Sequence, residues 1–312
     1  MKKFLSVVIP ILTMLVVCSG CVISYYFFYK MMNKNSVQAP KTISGISFSE
    51  QEYPSILAVK PMQKLMNVYY SDFTGKTINE YYDIEADEII KKLVNGEINV
   101  AIVPDITDKQ IKIAKEAGVQ LETFEIVKDA VVFMNEASNR VTNLKNEDVV
   151  KIFAGNITNW SDVKGGDKKI KIYHTAKNSY VYNMMIQKVM GKVEPKASEK
   201  ENVIDVTKAL TGLDTDYYDN EGRIGYTLYS LYRTMYDDVS DGVLKSDKIL
   251  KINDIEAKED NFQNKNYPYT ITYHIVIKAT EPQNGNVRNW IKNVVSEEGK
   301  NIAKEAGYIA NR

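Results

Sequence analysis

Apolar and polar positions along this chain switch repeatedly between a period of two and a period near 3.6, and the switches outline an α/β protein. Residues 55–59 are a short apolar run of the strand type. Pro61 follows at a good first-turn position, and Met62, Leu65, Met66 and Tyr69 recur behind it at helical spacing. Residues 76–84 read as extended. Ala86, Ile89, Ile90, Leu93 and Val94 give a second helical face, stopped at Gly96. Residues 99–103 form a strand of the fully buried kind. Thr107 then caps a helix carrying Ile111 and Ala114, and Gly118 ends it. That order of elements predicts a doubly wound sheet.

A second α/β set begins at residues 129–134, DAVVFM. Val149, Ile152 and Phe153 make a short helix with Glu147 and Asp148 at its positive end and Gly155 at its stop. Residues 169–174 read as a strand. Ser179 caps a helix with Val181, Met185 and Val189 on one face. Further strands are expected at 223–228, 249–253 and 270–278. The chain closes in helical segments, first Val287, Trp290, Ile291 and Val294, then Ile302, Ala303 and Ala306, with Gly307 as the stop.

The N-terminus follows neither period. Lys2 and Lys3 precede an uncharged run over residues 4–29, and about 20 apolar residues suffice to span a bilayer. Tyr25, Tyr26, Phe27, Phe28 and Tyr29 stand at its far end, as an interfacial aromatic belt would. Two readings compete. One is an uncleaved single-pass anchor with the remainder outside the cell. The other is a lipoprotein signal processed at Ser19-Gly20-Cys21, with lipid on Cys21. Cys18 stands where such a signal usually has Leu, and the apolar run continues past Cys21; both features favour the anchor. Residues 31–53 are polar and aperiodic and read as a tether.

Composition narrows the function. The 40 basic and 40 acidic side chains cancel, which argues against a nucleic-acid partner. Both cysteines lie in the N-terminal apolar run, so the folded part has no disulfide and no thiolate metal site. His174 and His274 stand alone, without the acidic spacing of a metal site. The sequence has no nucleophile elbow, phosphate-binding loop or dinucleotide turn, so it reads as a binding protein without a cofactor, not an enzyme.

Residues 143–166 read NLKNEDVVKIFAGNITNWSDVKGG. Ile152, Phe153, Gly155, Ile157, Asn159, Trp160, Val163 and Gly165 there fit a phrase of one family, and Arg223-Ile224-Gly225-Tyr226, residues 250–273 and residues 296–308 fit in the same order. On these segments the chain resembles the phosphate-binding subunit of bacterial ABC phosphate importers, a type II periplasmic-binding-protein fold. The resemblance implies two lobes joined by crossover strands, one from residues 54–129 and 278–312, the other from 130–277. It implies a small anion or other small solute gripped between them, and an ABC permease as partner.

The site departs from that family. Where the family opens its first helix with a Gly-hydroxyl turn, residues 57–61 read LAVKP, leaving Lys60 as a replacement charge. Residues 174–181 read HTAKNSYV: Thr175 stands in the place of an Arg, and Tyr180 and Val181 replace the small and hydroxyl residues that follow Ser179. Candidate ligand residues are Lys60, Asp105, His174, Thr175, Asn178 and Ser179; Ser179 reads equally well as a helix cap, and Asp105 as a turn residue. The expected function is an extracytoplasmic, membrane-anchored substrate-binding protein with a degenerate phosphate site. The alternative is a ligand-sensing or protein-interaction module on the same fold.

Overall fold

Strand β1, Ile56–Ala58, runs straight into helix α1, Lys60–Thr74, because Pro61 has a preset helical φ and lacks an N–H that this position would leave unpaired. The structure, a computed structural model, describes residues 47–78, 81–177, 179–197, 203–204, 222–238 and 247–312. The expected anchor, the tether up to residue 46, Cys21 and Asn178 lie outside these residues. No helix among the described residues is long and apolar enough to cross a membrane.

Helix α2, Ala86–Asn95, leads through Gly96 to strand β2, Val100–Pro104. Helix α3, Asp108–Glu116, begins with a full capping box: Gln110 N–H donates to the Thr107 hydroxyl, and Thr107 N–H donates to the Gln110 side chain. Residues 76–84, expected to be extended, carry no strand among their described positions. The buried Gln63 side chain secures the segment instead, donating to Ala58 O and Tyr82 O and accepting from Tyr82 N–H.

Strand β3, Leu121–Glu136, is the spine of the molecule. Its first part pairs antiparallel with β11, Thr270–Lys278, from Leu121↔Lys278 to Ala130↔Thr270. Its last part pairs antiparallel with β8, Arg223–Leu228, and β9, Asp247–Ile249. With β5, Lys171–Ile172, the sheet order is β1-β2-β11-β3-β8-β5. The expectation of a doubly wound sheet is corrected here: β1–β2 and β5–β8 are parallel, but β11 and β8 run antiparallel to β3, so the sheet is mixed. The reason is topological: β3 is one long strand running through both parts of the sheet, and β11 returns along it in the opposite direction after the intervening elements.

Helices α8, Asn286–Val294, and α9, Glu297–Glu305, with strand β12, Ile309–Ala310, bring the C-terminus back onto the first part of this sheet. There Trp290, fully buried, meets Tyr53 and Tyr69 edge to face. Around the last part of β3 lie β4, Asn143–Leu144, α4, Asn146–Phe153, β6, His174–Thr175, α5, Tyr180–Met185, β7, Val203–Ile204, and α6, Tyr229–Asp238. Strand β10, Lys251–Ile252, pairs with β4, and α7, Glu259–Gln263, completes the set. The single strand expected over 249–253 is two, β9 and β10, because Leu250 N–H bonds Phe133 O and Lys251 N–H bonds Thr142 O on different partners.

Candidate functional site

The end of β2 and the beginnings of α2, α3 and α5 converge on one groove, lined among others by Glu85, Asp105, Thr107 and Tyr180. At the start of α1, Val59 is fully buried, its N–H donating to Ile102 O and its carbonyl accepting from Met62 N–H. It offers no side-chain cap. Lys60 beside it is exposed. At the end of β2, Asp105 accepts from Thr272 N–H at 3.3 Å and forms an ion pair with Lys188.

On the facing side, Ser179 caps α5. Its hydroxyl accepts from Tyr182 N–H at 3.2 Å and donates to Thr175 Oγ1 at 2.9 Å. The cap reading of Ser179 and its closeness to Thr175 are therefore both present in the structure. A π turn, Ile186–Met190, continues α5 and carries Lys188. The next side chain after the cap, Tyr180, extends to β11, and its hydroxyl donates to Tyr273 Oη at 3.3 Å. Burial pushes the Tyr180 phenol far above its ordinary pKa, against a smaller lowering by the Tyr273 contact, and the carboxylates of Asp129, Glu85 and Asp105 push it further up. It is a neutral phenol at every physiological pH. Asn183 donates from Nδ2 to Glu85 Oε1 at 3.2 Å.

His174 is not at this meeting point. Its ring is buried, with Nε2 on Lys196 O at 3.1 Å and Nδ1 on Tyr226 Oη at 3.2 Å, and it packs edge to face with Phe153, Tyr182 and Tyr226. A carbonyl can only accept, so Nε2 carries the proton and Nδ1 accepts from the Tyr226 hydroxyl. Burial lowers its pKa, keeping it neutral.

Three side chains that the sequence does not single out adjoin this meeting point: Lys188 through Asp105, Tyr273 through Tyr180, and Asp129 near both tyrosines. Asp129 on β3 is 1% exposed; Ala130 N–H, Ser230 N–H and the Ser230 hydroxyl donate to it at 2.8, 3.0 and 2.6 Å. Burial pushes its carboxyl up to about 6 in spite of these donors. The signal was available: an acid next to Lys128 inside the otherwise apolar run 126–134 must be paired or hydrogen-bonded.

Two α/β regions strung on shared strands, with a meeting point at strand ends and helix starts, are the architecture of a solute-binding protein. The chain belongs to the PBP superfamily: the family model described as PBP superfamily domain matches residues 60–298. Within it the chain is similar to phosphate-binding protein PstS. It is 24% identical to PstS of Staphylococcus haemolyticus over 226 residues, covering 71% of this chain and 68% of that protein. It is 25% identical to PstS of Borreliella burgdorferi over 267 residues, covering 80% and 86%. Among solved structures, PstS from Borrelia burgdorferi matches with a TM-score of 0.62 at 20% identity, covering 83% of this chain and 99% of that one. An ABC-type phosphate transport receptor from Vibrio cholerae matches with a TM-score of 0.64 at 20% identity, covering 85% and 99%.

Proposed function

We propose that this chain is an extracytoplasmic substrate-binding protein of an ABC importer, anchored through residues 4–29, in which the phosphate site is degenerate. Its lobes are residues 54–129 with 278–312, and residues 130–277. The strands near Asp129 and Ile275 pass between them. The curated relatives are named phosphate-binding proteins, which supports a solute-binding role and not catalysis. The observation that carries the degenerate-site reading is Tyr180: its ring reaches across the place where an anion would meet the start of α5 and ends on Tyr273.

The remaining candidates fit the same reading. Lys60, Asp105, Thr175, Asn178 and Ser179 would line the cleft, with no Arg among them. A hydrogen bond to a charged group contributes roughly 1.5–3 kcal/mol. Without two such bonds, binding weakens by about 3–6 kcal/mol, or roughly 100- to 10,000-fold. A Lys ammonium lacks the bidentate fork of Arg and offsets little of this. A second reading is a sensing or interaction module on the same fold, for which Tyr180, Asn183 and Lys188 reaching across to Tyr273, Glu85 and Asp105 is the supporting observation. The test is calorimetric titration of the purified protein with inorganic phosphate near neutral pH. Weak or absent binding is expected; a dissociation constant in the micromolar range or tighter overturns the degenerate site.

A further inference from the structure

In two-lobed binders a solute that touches both lobes stabilises the closed arrangement, because closure is favoured only by contacts made in that state. Here three interactions between the first sheet region and the helical segment 180–190 already span the cleft. Lys188 pairs with Asp105 at the end of β2. Asn183 donates to Glu85 at the start of α2. Tyr180 donates to Tyr273 on the crossover strand β11, at a position where that strand pairs with Pro104 of β2 and Val127 of β3 in the first region.

We propose that these three side chains are a built-in latch, so that the two lobes close without any solute. The inference rests on the two-lobed reading above and adds how closure is driven. The spacing supports it. Tyr180 and Asn183 are three apart and share one face of α5. Lys188 stands five after Asn183, which an α-helix would turn away from that face. The π turn Ile186–Met190 hydrogen-bonds five residues back and winds Lys188 onto the same side. The ion pair is partly buried, with side-chain exposures of 21% for Lys188 and 40% for Asp105. Around it the groove of about 530 Å³ lined by Glu85, Asp87, Asp105 and Tyr180 remains open beside the latch. The lobes are therefore joined by side chains while a water-accessible space persists at their seam.

The experiment measures the distance between spin labels on Lys112→Cys and Lys192→Cys, two exposed positions on opposite sides of the seam. It uses the full chain in detergent, with Cys18 and Cys21 replaced by Ser. Without solute, one short and narrow distance distribution is expected, unchanged by added phosphate. Combining Tyr180→Phe, Asn183→Ala and Lys188→Met, one change in each of the three interactions, should create a longer-distance population, the removal of each pair raising the open fraction roughly two- to fivefold. If the triple variant loses its native circular dichroism, Lys188→Met alone carries the test. A long or broad distribution in the unmodified latch, or an unchanged one after its removal, overturns the proposal. Tight phosphate binding by calorimetry would overturn the degenerate site but leave the latch standing, provided the distance is short before phosphate is added.

Discussion

Asp129 lies beside the point where β3 passes from its β11 pairing to its β8 pairing, and its carboxylate sits out of water among Tyr180, Tyr229, Tyr273 and Tyr308. Its carboxyl titrates at about 6 in place of the ordinary 3.8, and burial is the main cause. A carboxyl whose folded pKa is raised contributes stability that is fully present below about 3.8 and is lost as pH rises through about 6. The difference corresponds to on the order of 3 kcal/mol for this fully buried group. Asp129→Asn keeps the shape: the amide oxygen accepts from Ala130 and Ser230 N–H, and the amide nitrogen donates to a Ser230 hydroxyl turned to accept. Thermal unfolding should show this variant more stable than the parent at pH 8, with the gap closing below pH 5. An equal or lower midpoint at pH 8 would show that the ionised acid is well solvated. At this scale the residues on which the proposed degenerate site rests, Val59, Thr175, Tyr180 and Val181, are legible in the sequence. It did not expose where Tyr180 goes, because Tyr273 lies 93 residues away and meets it only after β11 returns beside β3.

Within residues 143–166, the segment that resembles the family, Asn159 and Trp160 form a clasp between elements. Trp160 opens a short 3-10 turn, Trp160–Val163, capped by Asn159 through Ser161 N–H. Its indole donates to Gly222 O at 2.9 Å, tying the turn to the start of β8. Gly165 closes the turn so tightly that a Cβ there would lie 2.8 Å from both Trp160 Cβ and Trp160 O, and 2.9 Å from Val141. At Gly166, the next residue, a Cβ would meet nothing within 4 Å. Gly165→Ala should cost about 1–3 kcal/mol through overpacking, whereas Gly166→Ala should stay within about 0.5 kcal/mol. Denaturant unfolding of the two variants checks this, and equal midpoints would refute the clasp. Elements governed by local rules were legible in the same way. The Thr107 cap, the Gly96 stop and strand β11 follow from residues within one turn or one pleat. The π turn in α5 was not, since nothing in residues 186–190 distinguishes it from α-helix; its visible consequence is a side-chain contact with Asp105 on another element.

For the whole molecule, two α/β sets are legible in the periodicity of the sequence, but which of them the C-terminus completes comes only from the family resemblance. The structure returns that end to the first. Tyr69 Oη donates to Gly299 O at 3.0 Å, Tyr308 Oη donates to Pro61 O at 2.7 Å, and Asn311 N–H donates to Ile126 O at 2.9 Å. Val287, Trp290, Ile291, Val294 and Ile302 are all buried. Side chains of this size contribute roughly 1.5–3 kcal/mol each when removed from water, so together they match the roughly 5–15 kcal/mol margin of a typical domain. Deleting residues 286–312 should therefore unfold residues 54–129, while residues 130–277 should stay folded around the buried side chains Phe133, Phe153 and Trp160. The chain has two tryptophans, so the deletion leaves Trp160 as a sole reporter for the second region. Its emission should stay at the short wavelengths of a buried indole, while hydrogen exchange shows the amides of residues 54–129 unprotected. Loss of the Trp160 signal together with those amides would mean that the two regions fold as one unit. A fully cooperative melt identical to the parent's would mean that the C-terminal helices stabilise neither.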